Sequence, residues 1–177
     1  NLTNRARDFK FQPNYESNAF LKRMKAILAL GKLPDYLMPM YSEFSPVDLT
    51  AAGIVKLAQY AGREHTVFHL YSNKPLYFDR MLELFAQMGK EMQVTDRQAF
   101  YEAVRATMKQ PGRQFIYETL QGDMDRDGVL LYDSNIHIEN AFTVWFLQKI
   151  GFEWNEIDER YVRGYLEYFK KLGYLEE

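Results

Sequence analysis

Apolar side chains recur at every third or fourth position through most of this chain, which is the spacing of one face of an α-helix. Glycine follows most of these stretches, where its left-handed backbone commonly ends a helix. The pattern predicts helices from about Glu16 to Leu30, Asp48 to Gly62, Leu76 to Met88, Thr95 to Met108, Arg113 to Leu120, Ile138 to Gly151 and Ile157 to Gly173. The predicted C-caps are Gly31, Gly62, Gly89, Gly151 and Gly173.

Helix starts and buried faces are also predicted. Asp48 is a favourable N-cap residue, and Thr95 with Gln98 has the spacing of a capping box. The helix that ends at Gly151 is apolar on several sides and is predicted to be buried. The residues expected to face the core are Phe100, Val104 and Met108 of the fourth helix, Ile138, Phe142, Trp145 and Leu147 of the sixth, and Ile157, Tyr161, Tyr165, Phe169 and Leu172 of the last.

Little of the sequence favours strands. The segment Thr66 to Tyr71 combines β-branched and aromatic residues without a breaker and is the best strand candidate. Met92 to Val94 is a second, shorter candidate, and Asp123 to Asp133 is a loop with a turn at Asp127-Gly128. The predicted fold class is therefore mostly helical α/β with two or three short strands.

Composition and charge exclude several classes of protein. The chain has 177 residues, 47% of them apolar, which suits one packed domain or a piece of a larger one. A net charge of −2 argues against broad capture of nucleic acid or of an anionic membrane, and no apolar run is long enough to span a bilayer. Zero cysteine excludes disulfides and thiolate sites and fits a reducing, cytoplasmic location.

Motifs for cofactor chemistry are absent from the sequence. A phosphate-binding loop needs closely spaced glycines, and the nearest pair here, Gly122 and Gly128, is six residues apart. None of the 13 tyrosines is followed four residues later by lysine, the pair that lowers a phenol pKa in short-chain dehydrogenases. The chain therefore carries neither a dinucleotide loop nor that catalytic pair.

Several clusters have both a functional and a plain interpretation. Asp123 to Gly128 copies the first half of a calcium loop, but Ser134 occupies the place of the bidentate glutamate, which favours an acidic turn. His65 and His69 lack a third metal ligand, and His137 stands alone, so no metal site is predicted. The basic cluster Lys22, Arg23, Lys25 and Lys32 is either a solvated helix face or a dock for an acidic partner. The stripe of Tyr161, Tyr165 and Phe169 favours core over a ligand pocket.

Short motifs in a characteristic order resemble one enzyme family over nearly the whole chain. These motifs are Asn1–Arg5, Phe11-Gln12, Asn18–Phe20, Glu43–Asp48, Val67–Leu70, Gly151–Trp154 and Tyr161–Leu175. In this order they resemble the C-terminal part of the terminal thioester reductase domains of nonribosomal peptide synthetases, which are extended short-chain dehydrogenases. Asn155 and Ser72–Lys74 depart from the family pattern, outside its chemistry.

The resemblance implies a role and partners. Such domains use NADPH to release a peptidyl or acyl thioester from the phosphopantetheine arm of an acidic carrier protein as an aldehyde, or further as an alcohol. The family's glycine-rich loop and catalytic residues precede the matching segment, so a missing N-terminal Rossmann half is expected as a partner and no cofactor is expected on this chain alone. Residues 1–15 would be a remnant of the nucleotide-binding half, and residues 16–177 a helical substrate-binding subdomain.

The resemblance also implies site residues. Asn1 and Leu2 fall beside the cofactor, and the basic cluster provides carrier-docking candidates in Lys22, Arg23 and Lys25. The aromatic content of 16% would then supply an apolar wall for the acyl chain. A helical interaction module without enzymatic role and a carboxylic acid reductase-like enzyme remain as alternatives. A subdomain cut from its partner would expose apolar surface and could self-associate.

Overall fold

Two compact units, each assembled from three chain segments, make up the chain in the computed structural model, which describes residues 2–64, 67–132 and 138–175. Unit 1 comprises Asn1–Gln12, Ser42–Leu76 and Asn135–Tyr168, and unit 2 comprises Pro13–Tyr41, Tyr77–Ser134 and Phe169–Glu177. No helix in the described ranges has both the length and the apolar composition that a bilayer crossing requires.

The predicted fold class is confirmed, since helices dominate and the described strands occur only in short pairs. The α-helices are α1 (Ala19–Leu30), α2 (Val47–Tyr60), α3 (Phe78–Gln87), α4 (Arg97–Thr107), α5 (Gln114–Gln121), α6 (Ala141–Lys149) and α7 (Glu159–Lys171). The strands are β1 (Leu2–Thr3), β2 (Lys32–Pro34), β3 (Tyr41–Ser42), β4 (Ser45–Pro46), β5 (Leu76–Tyr77) and β6 (Gln93–Thr95). No main parallel sheet is present in the described part of the chain.

Unit 1 combines a minimal parallel strand pair with helices. Strand β1 pairs with β4, with Leu2 opposite Ser45 and Thr3 opposite Pro46. A core cluster lies between α2, α6 and the segment that follows α6, and its buried members are Leu57, Leu147, Phe152 and Trp154. Gly53 of α2 lies close to Leu70 and Phe152, so the small residue lets this cluster approach the helix backbone.

Unit 2 is built on the packing of α1 against α5 and of α5 against α4. Strand β2 pairs in parallel with β6 over three residues, Leu33 opposite Val94 at the centre. The side chains with no more than 1% of their surface exposed include Leu33, Leu37, Phe78, Phe85, Phe100 and Ile116. This core is aromatic and aliphatic throughout, as the helical periodicity predicts.

Helix ends were predicted well where glycine adopts a left-handed backbone and poorly elsewhere. Gly31, Gly89, Gly151 and Gly173 have φ between 68° and 75°, as predicted for C-caps. Gly62 does not adopt the left-handed backbone, since α2 ends at Tyr60 and its C-cap, Ala61, is already extended. The predicted N-caps were wrong. Asp48 lies inside the first turn of α2 and binds a different loop, and α4 is capped by Asp96, whose carboxylate accepts from Ala99 N at 2.8 Å.

The best strand candidate does not form a strand in its described part, residues 67–71. This segment finds its hydrogen-bond partners around α6 instead of on a neighbouring strand. The His69 N–H donates to Thr143 Oγ1 at 3.1 Å, and Asn140 Nδ2 donates to the Tyr71 carbonyl at 3.1 Å. Its β-branched and aromatic side chains pack on a helix instead of within a sheet. The local sequence therefore predicts a strand that does not form.

Five predicted core positions are exposed in the structure. Only Thr143 and Leu147 of α6 are buried, whereas Trp145 is 52% and Phe142 45% exposed. Helix α6 is apolar around much of its circumference, so its pattern does not reveal which side packs on α2. Met108, also predicted to be buried, is 43% exposed just after the end of α4. Ile138 and Leu172 depart from the prediction in the same way.

Candidate functional site

Strand β1 carries Leu2, the described member of the pair predicted to lie beside the cofactor; Asn1 lies outside the described residues. Leu2 exposes 53% of its surface, whereas the next two residues, Thr3 and Asn4, are 1% and 0% exposed. A two-residue strand makes few ladder bonds, so other groups have to fix its position. The exposed side chain of Leu2 is therefore followed directly by two residues that are anchored in the interior.

Tyr161 of α7 anchors these two residues. Its hydroxyl donates to the carbonyl oxygen of Asn4 at 2.6 Å and accepts from Thr3 Oγ1 at 2.8 Å. The ring is 4% exposed, and burial raises the pKa of the Tyr161 hydroxyl far above its ordinary value, although the bond to Thr3 lowers it. The phenol therefore stays protonated across the physiological range and donates throughout it.

The loop after β1 is clamped by two further contacts. The carboxylate of Asp48 accepts from Ala6 N at 2.8 Å and from Arg7 N at 3.3 Å. Asn4 Nδ2 donates to the carbonyl oxygen of Phe9 at 2.5 Å. Phe9 has φ 59°, a left-handed conformation that is uncommon for a residue other than glycine. Such strain persists only where surrounding contacts hold it, as they do here.

Phe9 is held in place by α7. Its ring meets Tyr161 edge-on at 6.1 Å between centroids and lies directly on the backbone of Gly164. The guanidinium of Arg160 stands 5.9 Å from the ring centroid. An open groove of about 580 Å³ runs along these residues, and Arg163 and Glu167 line it. Its walls carry charges of both signs, so it offers no single-charge anion or cation site.

The predicted carrier-docking residues lie on α1 and differ in their environment. Lys22 is exposed. Arg23 Nε forms an ion pair with Asp123 Oδ2 at 2.8 Å, and its guanidinium lies 5.7 Å from the Tyr132 ring. Lys25 Nζ lies 4.4 Å from the centroid of Tyr174. Two of the three cations are thus already engaged within unit 2, and their role in docking stays a prediction.

Exposed aromatic side chains gather on one side of α6. The rings of Phe68 and Phe142 stack at 5.9 Å, and Phe142 lies 5.9 Å from Trp145. Phe142 and Trp145 are 45% and 52% exposed, whereas Phe68 is partly buried against the core of unit 1. We call Phe68, Phe142 and Trp145 the aromatic surface. Surfaces of this kind commonly mark a binding or docking face.

The remaining candidate clusters show intrachain contacts. The described residues contain no group of three potential metal-ligating side chains. His65 and His137 lie outside those residues, and His69 Nδ1 donates to the carbonyl of Glu139 at 2.9 Å. In the acidic turn, Asp125 Oδ1 accepts from Asp127 N and Val129 N, at 2.9 and 2.8 Å. The turn at Asp127-Gly128 is confirmed, with Gly128 at φ 76°.

Sequence reasoning missed two residues that shape the site and the hydroxyl contacts of a third. Phe9 gave no signal, because nothing in a loop sequence marks a left-handed phenylalanine. Gly164 did give one, since a glycine inside a helix is costly and usually has a packing reason. The stripe containing Tyr161 was correctly predicted as core, but its hydroxyl contacts involve residues 158 positions away and could not be inferred from spacing.

Solved structures match nearly the whole chain. No protein-family model and no curated protein matches the chain. The structure of a thiolation-reductase di-domain from an archaeal non-ribosomal peptide synthetase matches 99% of the chain with a TM-score of 0.83 and 28% identity. The terminal reductase domain of the myxalamid pathway matches 99% of the chain with a TM-score of 0.76 and 16% identity. The reductase domain of the aureusimine cluster matches 98% of the chain with a TM-score of 0.74 and 24% identity.

The matches cover only part of the solved proteins. The chain spans 35% of the archaeal di-domain chain and 43% of each of the other two. The two matches with less than 25% identity support the fold, and the archaeal match adds sequence identity to it. In fold and in extent, this chain matches the C-terminal part of a terminal thioester reductase domain of nonribosomal peptide synthetases.

Proposed function

We propose that the chain is the substrate- and carrier-recognising part of an NAD(P)H-dependent thioester reductase that releases a carrier-bound peptidyl or acyl chain as an aldehyde, or further as an alcohol. The observation that carries this proposal is the match to the archaeal thiolation-reductase di-domain over 99% of the chain. That protein joins a thiolation domain to its reductase, which supports a carrier-bound substrate for this chain too.

The residues of β1 fit a neighbouring nicotinamide. Leu2 offers an exposed apolar side chain against which a nicotinamide ring could pack. When bound, NADPH would supply the hydride that converts the thioester to an aldehyde and a free thiol.

The aromatic surface supports an acyl-binding role. A reductase that holds a long acyl or aromatic group needs an apolar wall that also excludes water from the reacting centre. Phe142 and Trp145 expose close to half of their surface. The same surface favours the second candidate function, a protein-interaction module, because aromatic side chains are enriched at interfaces.

Reduction of a thioester should require more than this chain. The chain mixed with NADPH and an acyl thioester is expected to give no loss of NADPH absorbance, because the glycine-rich loop and the Tyr/Lys pair are absent from its sequence. The complete reductase should consume NADPH and form an aldehyde that mass spectrometry detects after trapping. Turnover by the chain alone, or none by the complete enzyme with any carrier-bound acyl group, contradicts the proposal.

Charge reversal on α1 tests carrier docking. Lys22→Glu in the complete reductase should raise KM for the carrier-bound substrate by about two- to fivefold, the effect of losing an exposed charge contact of up to ~1 kcal/mol. KM for a small soluble thioester should stay unchanged. Lys22 is the informative position because it is exposed, whereas reversing Arg23 would also break its ion pair with Asp123.

A matched control uses Lys149, an exposed lysine on α6 in unit 1. Lys149→Glu makes the same change in net charge, so it should leave both KM values as they are. Equal effects of Lys22→Glu on the two substrates, or equal effects of the two variants, would refute docking at Lys22. Calorimetry with carrier protein and with unrelated acidic proteins then separates the reductase part from a general interaction module, which need not favour the acylated carrier.

A further inference from the structure

We infer that Tyr161 is a positioning residue for cofactor binding, which acts by fixing the strand Leu2–Thr3 that carries the cofactor-facing positions. The inference rests on the proposed function, because it takes the nicotinamide to lie beside Leu2. Tyr161 lies in α7, far from that strand in sequence, and belongs to none of the family's catalytic motifs.

The strand cannot fix its own position. Among the described residues it has two members, Leu2 opposite Ser45 and Thr3 opposite Pro46. Its polar groups continue into the buried interior, since Thr3 and Asn4 are no more than 1% exposed. Buried hydroxyl and carbonyl groups without partners are costly, so whatever satisfies them determines where the strand rests.

The hydroxyl of Tyr161 forms hydrogen bonds with both the Thr3 hydroxyl and the Asn4 carbonyl. Tyr161 OH donates to the Asn4 carbonyl at 2.6 Å and accepts from Thr3 Oγ1 at 2.8 Å, which uses a donor and an acceptor of the same oxygen. The bridge joins the two residues that immediately follow Leu2. A displacement of this oxygen would therefore move the backbone from which Leu2 projects.

The oxygen is itself well fixed. The Tyr161 ring packs edge-on against Phe9 at 6.1 Å and Phe44 at 6.4 Å, and only 4% of the residue is exposed. Its backbone N–H is held by Asp158 Oδ1 at 2.9 Å in the first turn of α7. The side chain thus connects the strand to a rigid helix, and removal of the hydroxyl leaves the ring packing in place.

The experiment is a binding titration of the complete reductase with NADPH, followed by cofactor fluorescence without substrate. Tyr161→Phe should raise Kd about tenfold, which corresponds to ~1.4 kcal/mol. Thr3→Val removes the other side of the bridge and should raise Kd in the same direction. The double variant should show less than the product of the two effects, because both changes break one network.

The matched control is Tyr36→Phe in unit 2, which removes a hydroxyl that accepts from Leu130 N at 2.8 Å. It should cost comparable stability in thermal unfolding and leave Kd for NADPH unchanged. KM for the acyl thioester should be unchanged in Tyr36→Phe.

Each outcome decides the inference. An unchanged Kd in Tyr161→Phe overturns it, as does an equal rise in Tyr36→Phe, which would reflect general destabilisation. If Tyr161→Phe does not fold, Thr3→Val decides by the same criterion. A wild-type reductase that binds no NADPH overturns the proposed function and this inference together, whereas normal wild-type binding with an unaffected Tyr161→Phe overturns only the inference.

Discussion

Gly164→Ala should destabilise the chain by about 2–3 kcal/mol, even though alanine favours a helix interior over glycine by ~1 kcal/mol. A Cβ at this position would lie 2.6 Å from Cε2 of Phe9 and closer still to two other ring atoms. Phe9 cannot easily retreat, because its carbonyl is bound by Asn4 Nδ2 and its backbone is left-handed. Urea and thermal unfolding measure the effect, which corresponds to a fall in Tm of roughly 5–10 °C for a chain of this size.

Two further variants identify the cause. In a Phe9→Ala background the ring is gone, so Gly164→Ala should become neutral or stabilising, a change of sign that a double-mutant cycle detects. Gly122→Ala is the matched single control, since the nearest atom to its added Cβ is 3.9 Å away and its φ is an ordinary −63°. Destabilisation that persists without the Phe9 ring would show that the close contact is not responsible.

Asp48→Ala should cost about 2 kcal/mol, because hydrogen bonds that involve a charged group contribute more than neutral ones. The carboxylate accepts from Ala6 N, Arg7 N and Leu49 N at 2.8, 3.3 and 3.1 Å. It also places a negative charge in the first turn of α2, where the helix dipole favours one. The measurement is the free energy of unfolding, together with hydrogen exchange at Ala6 and Arg7, which should accelerate.

Asp48→Asn is the informative comparison. The amide keeps one acceptor oxygen and loses the charge. The free energy of unfolding of Asp48→Asn should therefore lie between that of the wild type and that of Asp48→Ala. Asp96→Ala serves as a second reference, since that carboxylate caps α4 through a bond to Ala99 N alone. Exchange at Ala6 should be unaffected by Asp96→Ala. Equal loss of protection there in both variants would contradict a local role for Asp48.

Helices were predictable because their information is local. The three- and four-residue spacing located all seven described α-helices, and four of the five predicted glycine caps adopt the left-handed backbone. The N-cap of α4 was misplaced by one residue, since Thr95 and Asp96 are both good caps and only the backbone geometry chooses between them. The strand prediction at 67–71 failed because β propensity describes a half-buried surface rather than a particular partner.

The candidate site was less predictable because its contacts join distant positions. Tyr161 meets Thr3, and Asp48 holds the loop at Ala6, across separations that no spacing rule covers. The exposure of Trp145 could not be read from α6 either, since a helix that is apolar on several sides has no unique buried face. The assignment of Leu2 to the cofactor came from resemblance and stays a prediction.

The interleaved chain path has a consequence for anyone who wishes to exchange this region between related proteins. The polypeptide changes from one unit to the other at residues 12/13, 41/42, 76/77, 134/135 and 168/169. Neither unit can therefore be transplanted as a single stretch of gene, and a chimaera with one crossover between residues 13 and 168 would combine sequence from two parents in both units. Recombination points belong outside the two units, so that the pair is inherited as one block.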